Sequence, residues 1–183
     1  MNYILGYKLY ENYYTCDPEI CIRRNQIEEL EHWLKRWQDP DIVPYSQTLL
    51  SIASKKRNSE IVELLLKYGA DPDKQNKRGY TPLIYSTIEN GIDIVRILIS
   101  AGASLDLKTT PKHYTALMYA ASQHRYKILN LLIESNANWS ILDNRGKSFL
   151  DKLNKNQREK IIKRYPKKYE QFIKIKQSNK FNI

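Results

Sequence analysis

A unit of about thirty-three residues repeats along the chain, and this repetition limits the possible folds more than any other feature does. Four similar segments begin at Thr48, Thr81, Thr115 and Ser148, which stand 33, 34 and 33 positions apart. A second marker keeps the same step, with the pairs Gly69-Ala70, Gly102-Ala103 and Asn136-Ala137 lying 33 and 34 positions apart. Two independent markers in register indicate a tandem array of similar structural units.

Each unit has the pattern of two short helices joined by a turn. Thr is a favoured N-cap, and Pro82 follows Thr81 at the first helical position, where its missing N–H costs nothing. An apolar block with helical spacing comes next in every unit and stops at Gly69, Gly102 or Asn136, residue types that adopt the left-handed conformation at a helix end. One helix pair cannot bury its own apolar face, so the units are predicted to stack.

This pattern resembles the ankyrin repeat, whose consensus is approximately D-x-x-G-x-T-P-L-H-x-A-A-x-x-G-x-x-x-x-V-x-x-L-L-x-x-G-A. The best match is NKRGYTPLIYSTIENGIDIVRILISAGA, at positions 76–103, and the resemblance covers about residues 43–165. It implies an all-α, ankyrin-type solenoid of stacked helix-turn-helix repeats with hairpin-like connections. The consensus His is absent, since Ser51, Ile84, Met118 and Asp151 occupy its position, and the third connection carries one extra residue.

The resemblance divides the chain into six parts. Residues 1–42 form an N-terminal segment with a capping helix, in which Ile27, Leu30, Trp33 and Leu34 are expected to pack on the first repeat. Ankyrin repeats 1, 2 and 3 then occupy residues 43–75, 76–108 and 109–142. A degenerate C-terminal capping repeat covers residues 143–165, and a basic C-terminal tail covers residues 166–183. A last helix is expected to begin after Pro166.

The charge of the chain is concentrated at its C-terminal end. The net charge is +10, but up to Asp151 nineteen basic residues face eighteen acidic ones, whereas from Lys152 onward eleven basic residues face two acidic ones. This asymmetry favours either an acidic partner for the tail or a well-solvated end. The sequence contains neither an apolar run long enough to cross a membrane nor a basic secretory leader, so an intracellular, most simply cytoplasmic, location is expected. For a viral or pathogen protein, the compartment would be the host cytoplasm or nucleus.

Catalytic and metal-binding patterns are not found in the sequence. It has no nucleophile elbow, no phosphate-binding Gly-rich loop and no H-E-x-x-H motif. His32, His113 and His124 are far apart, and Cys16 and Cys21 with His32 would supply only three of the four ligands that structural zinc requires. We therefore interpret the two cysteines as ordinary thiols and expect neither enzymatic activity nor a cofactor or metal.

Partners of ankyrin arrays usually bind along the concave side, formed by the connection tips and the exposed face of each first helix. Carried onto this chain, that implication selects a basic and aromatic set of partner-binding residues: Tyr45, Lys55, Lys56, Lys77, Arg78, Tyr80, Ile88, Lys112, Tyr114, Gln123, Arg145 and Lys147. Tyr and Arg are over-represented in binding hot spots. The expected function is a protein-protein interaction module, an adaptor or decoy, that binds an acidic protein segment. The alternative is nucleic-acid or anionic-surface association through the basic tail. Neither a small-molecule substrate nor membrane insertion is expected.

Overall fold

A computed structural model describes residues 17–37, 39–41 and 47–178, and within these ranges the chain is helical, with no β-strand. The α-helices are α1 (Pro18–Arg24), α2 (Ile27–Trp37), α3 (Leu49–Lys56), α4 (Ser59–Lys67), α5 (Pro82–Ile88), α6 (Ile92–Ser100), α7 (Ala116–Ser122), α8 (Tyr126–Glu134), α9 (Lys155–Arg164) and α10 (Pro166–Ser178). A short 3-10 helix, Phe149–Lys152, precedes α9.

The predicted helix starts are confirmed at the three clearest repeats. The hydroxyl oxygen of Thr48 accepts a hydrogen bond from the Ser51 N–H (3.0 Å), and Thr81 and Thr115 cap α5 and α7 in the same way at 3.1 and 3.4 Å. Each of these side chains satisfies one of the N–H groups that a helix leaves unpaired in its first turn. Thr therefore recurs at the repeat period because each inner helix needs a cap at its start.

The second helix of each repeat ends as predicted. Gly69, Gly102 and Asn136 have φ values of +85°, +82° and +68°, the left-handed region expected from their residue types. A second set of left-handed residues lies in the turn between the two helices of each pair, at Asn25, Arg57, Asn90 and His124. Asn adopts this conformation more readily than Arg does, so the turn at Arg57 has the least favourable residue for its backbone.

The repeats stack through both layers of helices. Along the inner layer α3 packs on α5 and α5 on α7, and along the outer layer α4 packs on α6 and α6 on α8. The outer helices bury their Ile, Leu and Val residues: Ile61, Val62, Leu65, Ile94, Val95, Leu98, Ile128, Leu129 and Leu132. Burying one such side chain stabilises the fold by about 1.5–3 kcal/mol, so the core that runs between the repeats is the main source of stability. The predicted stacked array is confirmed.

A ladder of side-chain hydrogen bonds also joins each repeat to the next. Asp41 accepts from the Asp71 N–H (2.9 Å), and Asp73 accepts from the Ser104 N–H (2.7 Å). The Asn138 N–H donates to Asp106 (2.9 Å). Because these bonds connect residues about one repeat apart, they fix the register of neighbouring repeats, and the acceptors Asp41, Asp73 and Asp106 recur at the repeat period, 32 and 33 positions apart.

The N-terminal segment contains a helix pair, in which α1 precedes the predicted capping helix α2. Asp17 caps α1, whose first residue is Pro18, and α2 follows after Asn25. Burial of Leu30, Trp33 and Leu34 on α2 confirms the predicted packing face. The missed helix had a readable signal, since Asp followed by Pro is a typical helix start.

The C-terminal end closes the stack with aromatic side chains. In the fourth unit the first helix is a 3-10 turn, and the Asp151 carboxylate accepts hydrogen bonds from the Ser148 N–H and hydroxyl at its start. Trp139 contacts the rings of Phe149, Tyr165 and Phe172, at centroid distances of 5.0, 6.4 and 6.5 Å. Phe172 is only 5% exposed, so α10, which begins at Pro166 as predicted, is anchored to the stack.

Cys21 corrects the prediction of two ordinary thiols. It is buried and takes part in a disulfide bond, while Cys16 lies outside the described residues. Among the residues that the structure describes, no group of three His, Cys, Asp or Glu side chains could hold a metal ion. No helix in the described part of the chain is long and apolar enough to span a bilayer.

Candidate functional site

Hairpin-like connections form a continuous row of tips at one end of the inner helices. Each tip is closed by a backbone hydrogen bond, from Asn76 N–H to Tyr80 C=O (3.1 Å) in the first described tip and from Thr109 N–H to Tyr114 C=O (3.0 Å) in the next. The tips also bond to each other, since the Thr110 N–H donates to the Arg78 carbonyl (2.8 Å). Side chains on successive tips are therefore held in fixed relative positions.

Four tyrosines from the second and third repeats pack into one cluster beside these tips: Tyr80, Tyr85, Tyr114 and Tyr119. The Tyr80 and Tyr85 rings are stacked with centroids 5.2 Å apart, Tyr80 lies 5.9 Å from Tyr119, and Tyr114 meets Tyr119 edge-on at 5.3 Å. Tyr85 and Tyr119 are 9% and 7% exposed, whereas Tyr80 and Tyr114 are half-buried. The buried rings of Tyr85 and Tyr119 thus support Tyr80 and Tyr114, which solvent can reach.

Hydrogen bonds hold the hydroxyl groups of Tyr80, Tyr85 and Tyr119 in this cluster. The Tyr119 hydroxyl donates to the Tyr80 hydroxyl (3.0 Å), and the Asn76 side-chain amide donates to the Tyr85 hydroxyl (2.9 Å). Burial raises the pKa of both Tyr85 and Tyr119 above the ordinary value of a phenol. Tyr85 and Tyr119 are therefore uncharged at neutral pH.

Three lysines surround the tyrosine cluster. The Nζ atom of Lys55 lies 6.0 Å from the centroid of the Tyr85 ring, and those of Lys112 and Lys152 lie 5.7 and 4.6 Å from that of Tyr114. An ammonium group near an aromatic face is attracted by the negative potential of the ring. The cluster is therefore an aromatic surface with cations at its two ends.

Lys152 differs from the other two lysines because it is buried in an ion pair. It bonds to Asp143, and the side chains of Lys152 and Asp143 are 10% and 1% exposed. Burial by itself raises the pKa of Asp143, but hydrogen bonds from Lys152 and from the Lys147 and Arg145 N–H groups outweigh it and lower this pKa to about 2. This pair joins the connection tip at residues 143–147 to the 3-10 helix Phe149–Lys152.

The predicted partner-binding residues fall into three groups. Lys55, Tyr80, Lys112 and Tyr114 come together at the tyrosine cluster. The second group is exposed on the tips or at the end of α3: Lys56, Lys77, Arg78, Arg145 and Lys147. Ile88 and Gln123 are half-buried at the ends of α5 and α7, where the Ile88 carbonyl accepts from Arg125 (3.3 Å). Tyr45 lies outside the described residues.

Sequence reasoning missed Tyr85 and Tyr119, and it counted Lys152 only among the C-terminal basic residues. Each of the two tyrosines lies at the fourth helical position, and Tyr80 and Tyr114 each directly precede the capping Thr. Apolar residues in these two positions form the contact known as the hydrophobic staple, which fixes how the chain enters a helix. That spacing was readable in the sequence and would have placed Tyr85 against Tyr80 and Tyr119 against Tyr114.

A cavity of about 560 Å³ lies at the N-terminal end of the same surface. Side chains of α1, α3 and the end of α5 line it: Glu19, Arg23, Gln47, Ile52, Lys55, Lys56 and Glu89. Arg23 is paired with Glu19, whereas Lys55 and Lys56 form no ion pair with a carboxylate in the described ranges. The missed helix α1 thus contributes a wall to the surface that carries the predicted binding residues.

Comparison with known proteins agrees with the repeat architecture. A family model described as ankyrin repeats (3 copies) matches residues 19–109 and 50–143. Similar proteins include ankyrin repeat and SOCS box protein 3 of Bos taurus (33% identical over 90 residues, 48% of this chain), the ankyrin repeat and KH domain-containing protein mask of Drosophila melanogaster (34% over 102 residues, 55%) and inversin of Mus musculus (36% over 76 residues, 42%). The matched segments span only 17%, 2% and 7% of those relatives.

Proposed function

The chain belongs to the ankyrin repeat family, and from that premise we propose that its inner face binds an acidic segment of a partner protein. We use inner face for the connection tips together with the exposed side of α3, α5 and α7. Ankyrin repeats generally mediate protein-protein interaction and form a non-enzymatic module. The chemistry of the partner and the residues that contact it are our proposal.

The tyrosine cluster with its flanking lysines is the observation that carries this proposal. Half-buried tyrosines that are already held by buried neighbours lose little conformational entropy on binding, and Tyr is enriched among hot-spot residues. The exposed charges of the predicted set, from Lys55 to Lys147, are all cationic and outnumber Glu19 and Glu89 on the adjoining cavity, so the surface complements an acidic segment. Electrostatic complementarity of this kind favours fast association and selects against basic partners.

A combined variant tests the inner face. We expect Tyr80→Ala, Tyr114→Ala and Arg78→Glu together to weaken binding of a partner recovered by affinity purification at least tenfold, because two ring faces are lost and one charge is reversed. Isothermal titration calorimetry with the purified partner measures this change, and circular dichroism checks that the variant remains helical.

The control repeats the same chemical changes on the outer helices. Tyr68→Ala, Tyr126→Ala and Arg96→Glu alter two half-buried tyrosines and one exposed arginine away from the tips, and they should leave the affinity within about twofold. Equal affinities for the inner-face variant and the unaltered chain would refute the assignment. A loss confined to the control would move the binding surface to the outer helices.

Unpaired lysines on the last two helices support a second candidate function, association with nucleic acid. Six exposed lysines of α9 and α10 form no ion pair with any carboxylate that the structure describes: Lys155, Lys160, Lys163, Lys167, Lys174 and Lys176. Because α10 is anchored by Phe172, these charges are carried on ordered helices. An adaptor needs two binding surfaces, and this one would be the second.

The intracellular, cytoplasmic location stays a prediction.

Salt dependence tests this second candidate. Each Lys-phosphate contact contributes about 0.9 to the slope of log affinity against log salt concentration for duplex DNA. Changing Lys160, Lys163, Lys167 and Lys174 to Gln should therefore reduce the magnitude of the slope by roughly 3–4, measured by fluorescence anisotropy with a labelled DNA duplex. Changing Lys67, Lys74, Lys108 and Lys127 to Gln removes the same charge elsewhere and should reduce it less. Absence of binding at low salt refutes this function.

A further inference from the structure

Two of the three lysines at the tyrosine cluster lack an acidic partner within the protein. Lys55 and Lys112 are exposed and form no ion pair with a carboxylate of the described chain, whereas Lys152 is paired with Asp143. They also lie at opposite ends of the cluster, Lys55 beside Tyr85 and Lys112 beside Tyr114. The structure therefore holds two separate cations whose charge a ligand can neutralise.

The separation of these two cations has an upper limit. The ring contacts run from Lys55 to Tyr85, Tyr80, Tyr119, Tyr114 and Lys112, with successive distances of 6.0, 5.2, 5.9, 5.3 and 5.7 Å. The two Nζ atoms are thus at most about 28 Å apart, a length that an extended segment covers with roughly eight residues at about 3.3 Å each. A single extended segment can reach both.

The surface between the two lysines suits uncharged side chains. Tyr80 and Tyr114 are half-buried, and the hydroxyl group of the buried Tyr119 donates a hydrogen bond to the Tyr80 hydroxyl. A carboxylate placed over these rings would face the negative π surface, while an aliphatic, aromatic or proline side chain would gain contact area there. Acidic groups are therefore favoured at the ends of the cluster and apolar groups at its centre.

We propose that the partner supplies one extended segment with two acidic residues, no more than about eight positions apart, on either side of an apolar stretch. One carboxylate pairs with Lys55, the other pairs with Lys112, and the apolar stretch lies on Tyr80 and Tyr114. This inference rests on the proposed function of the inner face and specifies the register and composition of what binds there.

Selection from a displayed library of random dodecamer peptides against the full chain tests this register. We expect enriched peptides to share two acidic positions that flank apolar residues. Lys55→Gln and Lys112→Gln should each weaken the best peptide about fivefold to tenfold by fluorescence anisotropy, and more strongly at low salt than at high salt. Lys127→Gln removes an exposed charge on the outer helix α8, away from the cluster and outside the predicted binding set, and it should change the affinity less than twofold.

Charge reversal identifies which carboxylate meets which lysine. In the Lys112→Glu variant, a peptide in which one of the two acidic residues is replaced by Lys should bind better than the original peptide, and replacing the other should not help. In the Lys55→Glu variant the preference should be opposite. Equal responses of the two replacements would overturn the register.

The remaining outcomes separate this inference from the proposed function. If Lys55→Gln and Lys112→Gln have no effect while Tyr80→Ala and Tyr114→Ala weaken binding, the register is wrong and the inner face still binds. If none of the four changes affects the selected peptides, both proposals fail. A library that yields no enriched peptide, or only peptides without paired acidic positions, also overturns the inference.

Discussion

Replacing Asp143 with alanine is expected to lower the free energy of unfolding by about 3–5 kcal/mol, because the change leaves the Lys152 ammonium buried without a counter-charge. Asp143 is 1% exposed, and its other oxygen accepts hydrogen bonds from the Arg145 and Lys147 N–H groups at 2.8 and 2.9 Å. Alanine removes all three interactions together. Urea denaturation followed by circular dichroism measures the loss.

Asp143→Asn separates the charge from the turn. The amide oxygen can still accept from the two N–H groups, so the tip is preserved while the ion pair is lost, and the destabilisation should be smaller than for alanine. If the two variants lose equal stability, the ion pair accounts for the whole effect. A loss below about 1 kcal/mol for alanine would contradict the assignment of this pair as a buried anchor.

The pH dependence follows from the same carboxylate. Its pKa is lowered from the ordinary 3.8 to about 2 in the folded chain, so its contribution is fully present above pH 3.8 and disappears as the pH falls through about 2. That shift corresponds to about 2 kcal/mol. Protonation of other carboxylates also changes stability at low pH. The informative quantity is therefore the difference in the free energy of unfolding between the unaltered chain and Asp143→Asn, and this difference should become smaller between pH 4 and pH 2.

Gly79→Ala is expected to cost about 2–4 kcal/mol, because two unfavourable effects coincide at this tip. Gly79 has φ +74°, where a side chain is strained. A Cβ there would lie 2.7 Å from the Lys108 carbonyl oxygen and 3.0 Å from the Thr109 Cα, which are backbone atoms of the next tip and cannot rotate away. The clash would also push apart the Thr110 N–H and the Arg78 carbonyl, now 2.8 Å from each other.

Gly69→Ala is the matched control for this prediction. Gly69 has a similar φ of +85°, but a Cβ would meet nothing within 4 Å, so only the backbone strain of about 1–2 kcal/mol remains. The difference between the two variants in urea denaturation isolates the contact between tips. Equal losses would mean that neighbouring tips can separate freely, and the inner face would then be less ordered than the fold implies.

Features that depend on neighbouring residues in the sequence were predictable. Each repeat contains its own local signals: the Thr cap, the apolar spacing of the second helix and the left-handed residue that ends it, which is Gly69, Gly102 or Asn136. The same signals recur in the next repeat. Because a solenoid is built from nearest-neighbour contacts between like units, recognising one unit is enough to predict the stacked array. The location of Tyr80 and Tyr114 beside the tips follows from the same alignment.

Other features required distances between residues that lie far apart in the chain. The hydrogen bonds that the Asp ladder makes to the next repeat and the burial of Lys152 against Asp143 depend on such distances. The proximity of Tyr80 to Tyr119, and of Lys55 to Tyr85, likewise connects different repeats. Local propensity and periodicity predict the secondary structure of one segment. Ion pairs and ring contacts depend on how different segments pack against each other. The amino-acid pattern therefore determines the repeat architecture. The tyrosine cluster with its two unpaired lysines forms only because stacking brings residues of different repeats together.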